Sequence, residues 1–135
     1  MQLNPYIAFD GNGQDAIEYY CATLGGEIVM SMKFGDMPEQ GDWITDQNRD
    51  RLAHATIRIG DMTIMASDTP GFEPHKGFEG VTLQVTCDTK DEAEGFFNKL
   101  AADGEVLMPF AKTFWSDGFG MLKDKFGVPW MLNVA

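Results

Sequence analysis

Apolar and polar positions along the chain follow two rhythms, and the same order of rhythms occurs twice. Ile17, Tyr20, Cys21 and Leu24 recur at helical spacing after Asp15, and Ala93, Phe96, Phe97, Leu100 and Ala101 do so after Asp91. Gly25 and Gly104 follow these stretches, placed to take the left-handed conformation that stops a helix. Thr89-Lys90-Asp91-Glu92 has the spacing of a capping box, in which hydroxyl and carboxylate satisfy free N–H groups at a helix start. Beyond each stop comes an apolar strand that opens on an acid, Glu27-Ile28-Val29-Met30 and Glu105-Val106-Leu107-Met108. Two matches in the same order predict a duplicated unit.

Strand patterns surround both helices. Leu3–Asp10 and Val81–Asp88 precede them, and Glu27–Phe34 and Glu105–Phe110 follow. Leu52–Ile59 and Met62–Ser67 meet at Gly60-Asp61, a tight hairpin signal, while Phe119–Lys123 and Pro129–Val134 meet through Asp124-Lys125-Phe126-Gly127. Each half reads β-α-β-β-β. The expected fold class is α+β: two βαβββ modules in one chain, over 1–68 and 79–135 of a single domain spanning 1–135. A helix covering one face of each sheet leaves the other face open. Two such sheets side by side predict a curved mixed sheet around a central trough, helices outside, suited to a small ligand. The polar stretches Gly35–Arg51 and Asp68–Glu79 fall outside the pattern, as lids, interface arms or solvated loops.

Composition narrows the function classes. With 135 residues, 44% hydrophobic and 23% charged, the chain suits one globular domain. Its apolar runs are far short of the ~20 residues that cross a bilayer, and Met1–Pro5 lacks the basic and apolar segments of a leader. A cytoplasmic location without membrane partners is expected. A net charge of −11 repels phosphate backbones, which argues against nucleic acid as a partner. Cys21 and Cys87 lack CxxC spacing or an adjacent activating cation and read as reduced, half-buried thiols.

Candidate chemistry centres on one strand. His54 shares a face with Thr56 and Arg58, while Ala53, Ala55, Ile57 and Ile59 take the other, which should meet the helix. His54, Thr56 and Arg58 are thus expected to face the trough, His54 as a candidate catalytic base and Arg58 as an orienting group for a ligand. A hydrogen-bonded structural histidine is the plainer alternative. His75, in a Pro/Gly-rich loop, is expected to face solvent. Among the aromatics, Trp130 reads as core because alternation sets it opposite Met131. Trp115, before Ser116-Asp117-Gly118, reads as a pocket residue at a strand edge. Glu27 and Glu105 hold matching places, which duplication explains without a paired-carboxylate catalyst.

Several stretches together resemble a known family. Pro5-Tyr6-Ile7-Ala8-Phe9 with Gly11-Asn12-Gly13, then His54-Ala55, Ile59-Gly60-Asp61 and Ser67-Asp68 fit it in order. Phe114-Trp115, Gly120, Asp124, Phe126-Gly127 and Trp130 complete the match. The chain resembles the PhnB-like branch of the glyoxalase/bleomycin-resistance/extradiol dioxygenase (vicinal oxygen chelate) superfamily. That resemblance implies two βαβββ modules and a homodimer, often with exchanged elements. Its activities range from metal-dependent isomerases, lyases and dioxygenases to thiol transferases and metal-free drug binders.

Metal-dependent members carry His or Glu on four inner strand positions, which match Tyr6, Met65, Val81 and Met131 here. None suits nickel, zinc or iron, so no metal and no cofactor are expected. A thioether pair can hold a soft ion such as Cu(I), although packing is the commoner use of such methionines. Members of the branch are often labelled demethylubiquinone methyltransferases, yet this chain has no strand–glycine-rich-loop–helix site for a methyl donor. Gly118 stands where the family often has a basic or larger residue.

The expected function is binding of a small apolar or aromatic molecule by Tyr6, Arg58, Met65, Trp115 and Met131, without the usual metal site. The alternatives are a lyase, isomerase or dioxygenase with an atypical site around His54, helped by Asp10 or Glu79, and a dimeric regulatory protein whose trough is filled by its own side chains.

Overall fold

A computed structural model describes residues 1–135. The chain divides into two compact units, Met1–His75 and Lys76–Ala135. The first carries strand β1 (Tyr6–Phe9), helix α1 (Gly13–Leu24), and strands β2 (Glu27–Lys33), β3 (Leu52–Ile59) and β4 (Met62–Asp68). The second repeats the order with β5 (Leu83–Cys87), α2 (Lys90–Ala101), β6 (Glu105–Ala111), β7 (Phe119–Lys123) and β8 (Pro129–Val134). Two four-stranded mixed sheets result, ordered β1-β4-β3-β2 and β5-β8-β7-β6. In each, the first strand runs parallel to the last, and every other pairing is antiparallel.

Alternation decides which side chains each helix covers. Ala55, Ile57, Ile64 and Ala66 are buried in the first sheet against Ala16, Ile17 and Tyr20 of α1. In the second, Leu122, Trp130, Leu132 and Val134 are buried with Ala93, Phe97 and Leu100 of α2. Trp130 is thus core, and its indole N–H donates to the buried Asp124 carboxylate at 2.8 Å. Gly120 lets the Phe97 ring approach the sheet, since a Cβ there would stand 2.6 Å from it.

Glycine and register repeat between the modules. A Cβ on Gly26 would meet the Arg58 carbonyl oxygen at 2.6 Å, and one on Gly104 would run into the Lys123 carbonyl. The next residues pair in register with the same two positions, Glu27 with Arg58 and Glu105 with Lys123. After one further pair each edge strand slips by a residue, between Ile28 and Met30 and between Val106 and Met108. These β-bulges turn Met30 and Met108 onto the face away from the helix.

The helix ends depart in part from expectation. Gly25 is left-handed, with φ 74°. In the second module the residue after the helix, Ala102, lies at φ −59° and ψ 127°; positive φ falls one residue later on Asp103, at 59°, and Gly104 is required instead by the close Lys123 carbonyl. Thr89 caps α2 by accepting from the Glu92 N–H at 3.3 Å. Asn12 makes no side-chain cap for α1. The Asp68 carboxylate does so from the end of β4, accepting from Gly11 N–H and Gly13 N–H, both at 2.9 Å, and from Leu52 N–H at 2.8 Å.

The first long loop is pinned at its base and along its length. Phe34 N–H donates to the Arg51 carbonyl, and Gly35 N–H to that of Arg49. Trp43 packs edge-on against Phe34, with ring centroids 5.2 Å apart. Asn48, only 2% exposed, accepts from Thr45 N–H and donates to the carbonyls of Trp43 and Pro70, tying this loop to the segment after β4. Neither segment is a free flap.

Candidate functional site

The face of the first sheet away from α1 gathers five of the residues singled out from sequence: Tyr6, His54, Thr56, Arg58 and Met65. Register sets Tyr6, Met65, Thr56 and Met30 side by side across β1, β4, β3 and β2. Met32 stands opposite His54 in the same β2–β3 pairing. The Tyr6 hydroxyl lies 3.0 Å from His54 Nδ1, with the rings 5.6 Å apart, and His54 Nε2 lies 3.2 Å from the Thr56 hydroxyl. Tyr6, His54 and Thr56 therefore form one chain of hydrogen bonds along an open sheet face, bordered by thioethers. With Tyr6 52% exposed, its ring and hydroxyl are accessible. The hydroxyl can donate to Nδ1 while Nε2–H donates to Thr56, or the opposite tautomer can reverse both bonds.

Arg58 shares this face, where it stands in an exposed ion pair. Its guanidinium pairs with Glu27 at 3.0 Å across the strands. Glu27 is thus the charge partner that inspection of the strand missed. Only the register match, repeated as Glu105 with Lys123, carries that signal. His75 also departs from expectation: it is half-buried, and its Nε2–H donates to the Ala8 carbonyl at 2.7 Å on the outer side of β1.

The other two predicted ligand residues lie on the second sheet. Met131 stands in a row with Gln84, Met121 and Met108. The next row holds Thr86, Asn133 and Phe119, and the Trp115 ring packs edge-on against Phe119 at 5.3 Å. Trp115 is 54% exposed, and the Asn133 side-chain oxygen is a buried acceptor without a partner. The family departure at Gly118 has a physical reason. A Cβ there would collide with the Phe110 ring, so the glycine and this aromatic occupy the space that a larger residue would need.

The hard-metal positions do not hold suitable donors. Tyr6 and Met65 are register neighbours, as expected of such positions. Val81 lies before β5 and is exposed, and the residue in register with Met131 is Gln84. Phenol, carboxamide and two thioethers are poor ligands for nickel, zinc or iron, and no three His, Cys, Asp or Glu side chains converge. Nor are the cysteines nucleophile candidates. Burial, then the Glu27 carboxylate, pushes the Cys21 thiol up; burial, then Glu92 and Asp88, does the same at Cys87. A cleft of about 210 Å³ lies elsewhere in the first unit, lined by Asn48, Arg51, Pro70 and Phe72 among others, and no predicted site residue borders it.

Comparison with known proteins places this geometry. Protein YjdN of Escherichia coli K12 is 40% identical over 142 residues, covering 100% of this chain and 96% of that protein. The crystal structure of PA1353 from Pseudomonas aeruginosa is 41% identical, with a TM-score of 0.90 over 99% of this chain and 97% of that one. A PhnB protein from Bacillus cereus is 29% identical, with a TM-score of 0.85 over the whole of both chains. A glyoxylase/bleomycin resistance protein/dioxygenase domain from Frankia sp. EAN1pec shares the fold, with a TM-score of 0.69 at 11% identity over 100% of this chain and 97% of that one. No helix is long and apolar enough to cross a membrane. The model of the family described as 3-demethylubiquinone-9 3-methyltransferase matches residues 1–133, and the chain belongs to that PhnB-like family within the glyoxalase/bleomycin-resistance fold.

Proposed function

We propose that the chain binds a small apolar or aromatic molecule over the open face of its first sheet, without the metal site usual in the superfamily. The Tyr6–His54–Thr56 hydrogen-bond chain, set among Met30, Met32 and Met65, carries this reading. Thioethers adapt to aromatic and irregular apolar shapes, while the phenol and imidazole orient one polar group of the guest. Arg58 contributes its aliphatic stem, because Glu27 engages its charge. Trp115 and Met131 offer a second apolar surface on the other sheet. The test is melting temperature against a panel of planar aromatic compounds, since a ligand of the folded state raises it by mass action. A shift that disappears in Met65→Ala and weakens in Tyr6→Phe supports the proposal. No shift from any compound, or one that survives both changes, overturns it.

The same hydrogen-bond chain favours one alternative, acid–base chemistry by a lyase or isomerase with His54 passing a proton to or from Tyr6. Turnover that is lost in His54→Gln while the compound still binds would select that reading. A homodimer is also part of the proposal, supported by exposed apolar residues on the edge strands, Val29 in β2 and Leu107 in β6. Sedimentation of Val29→Lys and Leu107→Lys should then show monomers. A cytoplasmic location agrees with the two unpaired cysteines.

A further inference from the structure

Six of the nine methionines stand on the two open sheet faces rather than in the core: Met30, Met32, Met65, Met108, Met121 and Met131. Three of them form an unbroken row. Met108 pairs with Met121 across β6 and β7, and Met121 pairs with Met131 across β7 and β8. Directly paired residues hold their Cβ atoms about 4.5–5.5 Å apart, and unbranched methionine can swing its sulfur toward either neighbour. Three sulfurs in such a row can close on one point above the central strand. The β-bulge between Val106 and Met108 puts the third methionine in register, where an unbulged strand would present Leu107.

We propose that Met108, Met121 and Met131 form a binding site for a soft monovalent cation, Cu(I) or its redox-inert counterpart Ag(I). Neutral thioethers bind hard divalent ions poorly and d¹⁰ monovalent ions well. A chain with net charge −11 attracts cations to its surface, and Met108 is 43% exposed, so the row is reachable. The first sheet supplies an internal control. Its corresponding row reads Met30, Thr56, Met65, so a hydroxyl interrupts the thioethers at the central position. The site is independent of aromatic binding at Tyr6 and His54 and requires no reaction step.

The test is an Ag(I) titration of the full chain carrying ¹³C-methyl methionine, read by NMR in chloride-free buffer and carried past the equivalents taken by Cys21 and Cys87. The methyls of Met108, Met121 and Met131 should move together and saturate with one Kd, while exposed Met62 stays in place. Met121→Leu, close in volume, should weaken that Kd by about tenfold or more, and Met131→Leu should do the same. Aromatic binding at the first sheet should survive Met121→Leu. Three row methyls that stay put after the thiols are saturated, or leucine variants that bind as the parent does, overturn the site.

Discussion

The two modules solve one problem with different residues. In the first, the start of α1 is closed by Asp68, a carboxylate 3% exposed that arrives from the end of β4 and takes three backbone N–H groups. In the second, α2 is closed locally by the Thr89 hydroxyl, and the buried carboxylate sits elsewhere. Asp124, also 3% exposed, holds the β7–β8 turn by accepting from Phe126 N–H, Val128 N–H and the Trp130 indole. Shared between the modules are the glycine that lets the chain pass a carbonyl, the cross-strand acid–base pair and the bulge. Backbone geometry is thus common to both, while the polar groups that tie it together were free to move. The open faces differ most, with Tyr6, His54 and Thr56 on one and Gln84, Asn133, Phe119 and methionines on the other.

Removing either buried carboxylate gives the largest expected effect. Asp68→Ala and Asp124→Ala each leave three donors without their acceptor, at a cost of about 3–5 kcal/mol in urea denaturation. Equal losses would make the two carboxylates equivalent staples despite their different places. A loss below about 1 kcal/mol at either would show that water replaces the carboxylate there. Next comes the shared glycine. Gly26→Ala and Gly104→Ala drive a Cβ into a backbone carbonyl that cannot rotate away, so each should cost about 2–3 kcal/mol. If only one does, the modules are less alike in packing than in register.

Much of this was legible in sequence, because alternation and helical spacing are local properties. Leu52–Ile59, Phe119–Lys123 and Pro129–Val134 have the limits their patterns predict, and Ala55 and Ile57 lie under the helix while His54 and Thr56 do not. What escaped depends on contacts between distant residues. Asp68 reads as the first residue of a polar loop, and its partners Gly11 and Gly13 lie 57 and 55 residues away. The bulge at Val29 leaves no trace in Ile28-Val29-Met30, where every residue is apolar. Arg58 looked available for a ligand because its partner Glu27 belongs to another strand. Val81 continues the alternation of β5, but pairing with β8 begins at Leu83, so the position in register with Met131 falls to Gln84.

The smallest expected effect lies where the helices stop. Gly25 and Asp103 both have positive φ, at 74° and 59°, yet only the glycine adopts that conformation without strain. Asp103 is exposed, and Asp tolerates the left-handed region better than most residues. Asp103→Gly should therefore raise stability by only about 0.5 kcal/mol, as relief of strain slightly outweighs the added freedom of the unfolded chain. Gly25→Ala, with open space around its Cβ but the wrong φ for a side chain, should lose about 1–2 kcal/mol. Opposite signs would show that positive φ is demanded at both positions, directly after α1 and one residue later after α2, and that glycine meets the demand better. A loss in Asp103→Gly would mean that the aspartate carboxylate itself stabilises the second stop, so that the modules differ at both ends of their helices.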